Sequence, residues 1–200
     1  MSHSKKVILI LCLIVIIGFL LRIYQLSEES LWNDEAFTIH HAKLENISKI
    51  IENVAETEAA PPGYYILLHY WINLFGNSQI AVRSLSVLFG VLSIWMLFLV
   101  VKLFYDPKIA LLSSFFMTIS MSQVLYSQQT RLYILFTFLS LLSTYIFSMM
   151  YLQLKNNKKV KSLHVIIYCI SLGISLYVNY LSLFLMIIFW MIIIHNNKIP

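Results

Sequence analysis

The sequence predicts an all-α protein that crosses a membrane about six times, and three observations carry that prediction. Of its 200 residues, 60% are hydrophobic and only 12% are charged, about half the charged fraction of a soluble domain. The apolar residues gather into runs of membrane-spanning length instead of spreading evenly. Lysines collect in alternate gaps between those runs, the pattern that sets topology in a bilayer. The net charge of +5 is therefore a topology signal and does not point to nucleic acid. Cys12 and Cys169 both lie inside apolar runs, so neither a disulfide framework nor a metal motif is expected.

The first span is expected at about 7–24. Lys5 and Lys6 precede it as they would in a signal peptide, but no small-x-small cleavage pattern follows, so the segment reads as a retained span. A polar loop covers about 25–62. Residues 63–75 are apolar but too short to cross, and they include His69 and Asn73, so an interfacial or re-entrant helix is expected. Further spans follow at about 80–101, 109–125 and 132–152. Residues 163–194 read as a fifth and a sixth, turning near Asn179 and Tyr180. Lys5, Lys6, Lys102, Lys108, Lys155, Lys158, Lys159, Lys161 and Lys198 fall in the gaps that the positive-inside rule makes cytoplasmic. The expected protein is thus a multi-pass plasma (inner) membrane protein with a cytoplasmic N-terminus. The 25–62 loop, the 126–131 turn and the Asn179 turn lie outside.

Charge is unevenly placed. Of nine carboxylates, eight lie in the first outer loop: Glu28, Glu29, Asp34, Glu35, Glu45, Glu52, Glu56 and Glu58. The arginines, Arg22, Arg83 and Arg131, all fall at the outer boundary. The planar guanidinium fork matches phosphate; snorkelling or pairing with a loop carboxylate is the competing reading. In Trp32-Asn33-Asp34-Glu35, Asn33 is a good N-cap, and the two acids would sit at the positive end of the helix that follows. That placement suits a base or a cation ligand, although capping with solvated charge explains it as well. Ile47, Ile50, Ile51 and Val54 recur at helical spacing, which predicts an amphipathic helix on the outer membrane surface. His40 and His41 are adjacent and point to different faces. Asp34 with His41 could reach a divalent cation, but no H-x-x-x-H or E-x-x-H pattern supports one. Tyr64, Tyr65, Tyr70 and Trp71 suit an interfacial belt, and they equally suit a sugar-stacking or lipid-tail surface. Residues 126–133, from Tyr126 through Gln128 and Arg131 to Tyr133, form a polar cluster between two apolar spans. Such groups must be paired or face a cavity.

Four segments carry a family resemblance. Residues 31–38 (Leu-Trp-Asn-Asp-Glu-Ala-Phe-Thr) resemble the acidic signature in the first outer loop of membrane glycosyltransferases of the GT-C fold. Residues 61–71 resemble the proline-aromatic segment that follows it, and 81–90 resemble the start of the next span. Residues 126–133 are similar to the family's tyrosine, glutamine and arginine cluster. The four occur in the family's order over about residues 20–185, and the nearest likeness is to the bacterial branch of the protein O-mannosyltransferase family. That branch includes lipid A aminoarabinose transferases and rhizobial core galacturonosyltransferases. The resemblance implies the N-terminal part of a GT-C module in which a sugar moves from a polyprenyl phosphate to a lipid, glycan or protein acceptor on the outer face, with inversion. It implies Asp34 as the base and Glu35 as an orienting acid. Arg131, Arg22 and Arg83 would bind phosphate together with Tyr126, Gln128 and Tyr133. Tyr64, Tyr65 and His69 would line the substrate. No organic cofactor is implied. Gln129 stands where relatives often carry an acid, which leaves the divalent cation that some relatives hold with only weak support.

Two other functions compete with this one. Family members are typically more than twice as long, so the chain is expected to be a fragment, a truncated frame or half of a split enzyme. A non-catalytic remnant or partner subunit fits that length. A transporter component for a lipid-linked substrate is the third reading, although transporters place ionisable groups near the bilayer midplane, whereas here they crowd the boundary.

Overall fold

The computed structural model describes residues 3–196, with side chains described for 4–192. Ten helices occur among the described residues: α1 (His3–Ile23), α2 (Asn33–Ala42), α3 (Ile47–Thr57), α4 (Gly63–Phe75), α5 (Gln79–Lys102), α6 (Pro107–Ile119), α7 (Met121–Ser127), α8 (Tyr133–Lys155), α9 (Ser162–Val178) and α10 (Ser182–Asn196). The expected short helix at 63–75 is α4. Lys198 lies outside the described residues.

Six spans are not found. Among the described residues, only α1, α5 and α8 are long and apolar enough to cross a membrane alone, and α6 with α7 makes a fourth only if a pair bent by 60° counts as one span. At 17 residues, α9 is about 25 Å long, short of the ~30 Å hydrocarbon core. Asn179 splits the final apolar stretch, where its side chain accepts the Leu181 N–H at 3.0 Å. Composition filled two spans here, but the turn divides the residues between two shorter helices.

The expected span at 109–125 breaks at Ser120, whose extended backbone (φ −62°, ψ 119°) ends α6. Carbonyls freed by such a break need donors inside an apolar bundle. Arg22 supplies one, donating from Nη1 to Thr118 O at 3.4 Å and from Nε to Ser127 Oγ at 3.1 Å. It reaches both because α1, α5 and α6 approach closely where two residues have no side chain. A Cβ on Gly18 would lie 2.4 Å from Ile94, and one on Gly90 would lie 2.3 Å from Ser127 Oγ and 3.0 Å from Arg22 Nε.

Charge divides the bundle into two ends. At the lysine end, Val7, Leu11 and Ile14 of α1 meet Ile94 and Phe98 of α5 and Ala110 and Leu111 of α6. Toward the acidic end, Tyr64, Leu68, Val82, Leu85, Leu132, Leu135 and Val178 join α4, α5, α8 and α9. The amphipathic helix forms as α3, capped by the Asn46 side chain accepting the Lys49 N–H at 2.9 Å. Its apolar stripe is divided, with Ile51 exposed. Ile50 and Val54 are fully buried against Tyr65 of α4. The helical spacing predicted an apolar stripe, and the half of it that turns toward α4 covers protein.

Two glycines make a paired test of this fold. A Cβ on Gly63 would sit 2.4 Å from the Tyr177 carbonyl oxygen, whereas one on Gly173 meets nothing within 4 Å. Gly63→Ala is expected to cost about 1–3 kcal/mol by forcing α4 from α9. Gly173→Ala is expected to be neutral, or stabilising by up to ~1 kcal/mol. Thermal unfolding in detergent micelles compares the two.

Candidate active site

The acidic tetrad opens α2. Trp32, one residue earlier than expected, is the N-cap, because Glu35 three positions on reaches back to accept the Trp32 N–H at 3.1 Å. This is the returning half of a capping box, and it turns the Glu35 carboxylate inward. Glu35 is 1% exposed. Its Oε1 accepts from Arg83 Nε at 3.0 Å and from the Thr130 N–H at 2.8 Å, and its Oε2 accepts from Arg83 Nη2 at 2.7 Å. Arg83 spends its remaining donors on the carbonyls of Leu26 (2.7 Å), Glu29 (3.1 Å) and Ser30 (3.3 Å). One ion pair thus ties α2, the 26–30 segment, α5 and the α7–α8 turn together. Burial alone would push the Glu35 carboxyl up, but the bonds from Arg83, Thr130 and Trp32 outweigh it and hold the group below its ordinary value.

Asp34 has the opposite environment. Its side chain is 75% exposed, and its carboxylate lies 3.9 Å from Arg131 Nη2. Arg131 Nη1 donates to the Asp34 carbonyl at 3.1 Å and to Thr38 Oγ1 at 3.0 Å, and that hydroxyl donates to the same carbonyl at 2.8 Å. The guanidinium faces the Tyr133 ring at 5.8 Å. Burial works against its charge, but Tyr133, Tyr65 and Asp34 more than offset this and hold it above its ordinary value. Arg131 Nε is buried and has no partner. Arg83 is saturated, whereas Arg131 keeps a donor in reserve.

The other expected residues separate by environment. Arg22 is fully buried between helices. Gln128 donates from Nε2 to the carbonyls of Leu21 (3.4 Å), Arg22 (3.3 Å) and Tyr24 (2.8 Å), which caps the end of α1. Tyr126 and Tyr133 lie ring against ring, 5.1 Å apart, next to Arg131. Tyr64 and Tyr65 are each 1% exposed, and burial pushes both phenols up. His69 Nδ1 lies 2.8 Å from the Ala42 carbonyl, to which it must donate, so the ring docks α4 under α2. His40 is exposed, while His41 is buried, with Nδ1 2.6 Å from Asn53 Oδ1 and Nε2 3.5 Å from Glu58. Among the described residues, no three His, Cys, Asp or Glu side chains converge as a cation would need. Sequence reading missed Thr38 and Thr130. Thr38 stands one helical turn beyond Asp34, which was the available signal. Thr130 acts through its backbone, which leaves no signal in side-chain identity.

Beside this constellation runs a groove of about 490 Å³ lined by Tyr24, Glu28, Glu29, Trp32, Gln128 and Gln129. A second, more apolar groove of about 550 Å³ lies between α1 and α5, with Phe19, Ile23, Ile80 and Val87 on its walls.

Residues 59–199 match the family of dolichyl-phosphate-mannose-protein mannosyltransferases. The chain belongs to this family. Members of the dolichyl-phosphate-mannose-protein mannosyltransferase family are membrane glycosyltransferases that use a lipid-phosphate-linked sugar. The matched stretch holds Arg83 and Arg131 and begins after Asp34 and Glu35. No curated protein and no solved structure matches the chain.

The buried pair makes acid sensitivity specific. The folded-state pKa of Glu35 is depressed, so its contribution is present above the unfolded value of about 4.3 and is lost as pH falls through the folded value. Melting temperature should therefore drop below about pH 4.3, and Glu35→Gln should flatten that limb. Arg83→Met, which leaves the carboxylate buried without its counterion, should cost about 3–5 kcal/mol at neutral pH. Melting curves across pH in micelles check both.

Proposed function

We propose that the chain carries the acceptor-activating half of a polyprenyl-phosphate-dependent glycosyltransferase, with Asp34 as the base and Arg131 as the phosphate ligand. The observation that carries this reading is the exposed Asp34 carboxylate held 3.9 Å from a guanidinium that still has an unpartnered Nε. Asp34 takes the proton of an acceptor hydroxyl. The acceptor oxygen attacks the anomeric carbon from the face opposite the phosphate, the anomeric carbon–oxygen bond breaks, and the lipid phosphate leaves with the electron pair. A single displacement inverts the anomeric centre. Arg131 stabilises the charge that builds on the leaving phosphate, while Tyr126 and Tyr133 flank it. Glu35 and Arg83 are positioning residues, because their donors and acceptors are already consumed by each other and by the backbone.

The acidic end is assigned to the outer face of the plasma membrane and the lysine end to the cytoplasm by the positive-inside rule. The motif likeness supports the bacterial branch of the family. Apart from Arg22, whose guanidinium is buried against Gly90, charged groups cluster at the two ends, which favours a transferase over a transporter.

Asp34→Asn is expected to lower sugar transfer by about a hundredfold or more, with unchanged melting temperature because the side chain is exposed. Arg131→Met should lose a similar factor, whereas Arg22→Lys should act on stability. Transfer from a panel of polyprenyl-phosphate sugars, measured in proteoliposomes, separates these effects. Full activity in Asp34→Asn would remove Asp34 as the base.

A further inference from the structure

We infer that the groove beside α2 is a carbohydrate subsite for the acceptor, selective for neutral or amine-bearing sugars over acidic ones. This inference rests on the transferase reading above and names the acceptor class for that site. The groove is bounded by the end of α1, the 24–32 segment and α7, and has a volume of about 490 Å³, enough for one or two sugar rings. Tyr24 and Trp32 put two exposed aromatic faces on its wall. Flat rings of this kind stack on the C–H face of a sugar. Glu28, Glu29 and the Gln129 amide supply the polar complement. Among the described residues, neither Glu28 nor Glu29 has an ion-pair partner, and Gln129 keeps its side-chain amide free. Carboxylates and amides of this kind accept and donate to vicinal hydroxyls.

Arg83 also lines the groove, yet it brings no anion-binding capacity. All its donors are engaged by Glu35, Leu26, Glu29 and Ser30, and Glu35 cancels its charge. The groove therefore carries net negative charge. A phosphate or uronate entering it would face like charge, while a neutral or protonated amino sugar would not.

Chain continuity then sorts donor from acceptor. Gln129 lines the groove, the Thr130 N–H binds Glu35, and Arg131 reaches Asp34. On the facing segment, Trp32 lines the groove and Asp34 meets Arg131. The Glu35–Thr130 bond is a partition with an acidic, aromatic compartment on one side and a cationic one on the other. Asp34 stands at the edge, where a base must be to take a proton from one side and direct attack toward the other. The apolar groove shares Gln25, Leu26 and Glu28 with this site, so a sugar carried on a lipid would have a place for its chain.

Saturation-transfer NMR on the full chain in nanodiscs tests the inference, with trimers of N-acetylglucosamine, glucosamine and galacturonate as probes. The first two should bind and the galacturonate trimer should bind about tenfold more weakly. Trp32→Ala should weaken the neutral trimer by about tenfold, and Glu28→Gln with Glu29→Gln should bring the galacturonate trimer level with the others. Gln129→Leu is a second variant should Trp32→Ala melt early. An octyl glycoside of the same sugar binding more tightly than the free sugar assigns the acceptor to a glycolipid; equal binding assigns it to a water-borne glycan. Absence of binding by all trimers, equal binding of galacturonate to the wild type, or indifference to both groove variants overturns the subsite. A groove that binds in a chain that transfers sugar from none of the polyprenyl-phosphate donors overturns the transferase assignment and leaves the subsite standing.

Discussion

A carboxylate and a guanidinium, Glu35 and Arg83, are withdrawn from water together, and the acidic end is arranged around them. Burying either charge alone would cost several kcal/mol. Glu35 therefore accepts from Arg83, Thr130 and Trp32, and Arg83 takes three backbone carbonyls besides. Those bonds reach across 48 and 95 residues of sequence. They hold the start of α2 against α5 and the α7–α8 turn. Asp34, next along the chain, points the other way as a direct result. A helix places neighbours about 100° apart, so anchoring Glu35 in the interior leaves Asp34 at the surface beside Arg131.

Much of the fold was legible in the pattern of residues. Apolar run length located α1, α5 and α8, and the Gly63–Phe75 segment was correctly too short to cross. The six-span expectation failed where continuity of apolar residues hides a change of backbone direction. Ser120 is an ordinary member of an apolar stretch, and nothing local marks it as a break, whereas the turn at Asn179 was expected and only the helices on either side are shorter than spans. What stabilises the first break is Arg22, about a hundred residues away. Likewise, the stripe Ile50 and Val54 announced a buried face, but only the fold reveals that Tyr65 covers it. Periodicity encodes that a face is apolar and says nothing of what meets it.

The candidate site was legible as a set of residue types and not as a division of labour. Asp34 and Glu35 are chemically near-equal neighbours, yet one is open and the other sealed. Arg83 and Arg131 are likewise the same residue, one exhausted by partners and one with a spare donor. These differences come from long-range contacts that spacing cannot express. The family match covers Arg83 and Arg131 and starts beyond Asp34 and Glu35, so the acidic half of the site rests on its geometry.

The slot that Gly18 and Gly90 open for Arg22 also has a bearing on biosynthesis. The helix carrying Arg22 leaves the ribosome before its acceptors, Thr118 and Ser127, which are translated 96 and 105 residues later. Until they arrive, the guanidinium must stay hydrated at the lipid–water boundary, with its helix lodged but unfinished. The packing of Arg22 thus waits for the α6–α7 pair, which supplies both of these acceptors.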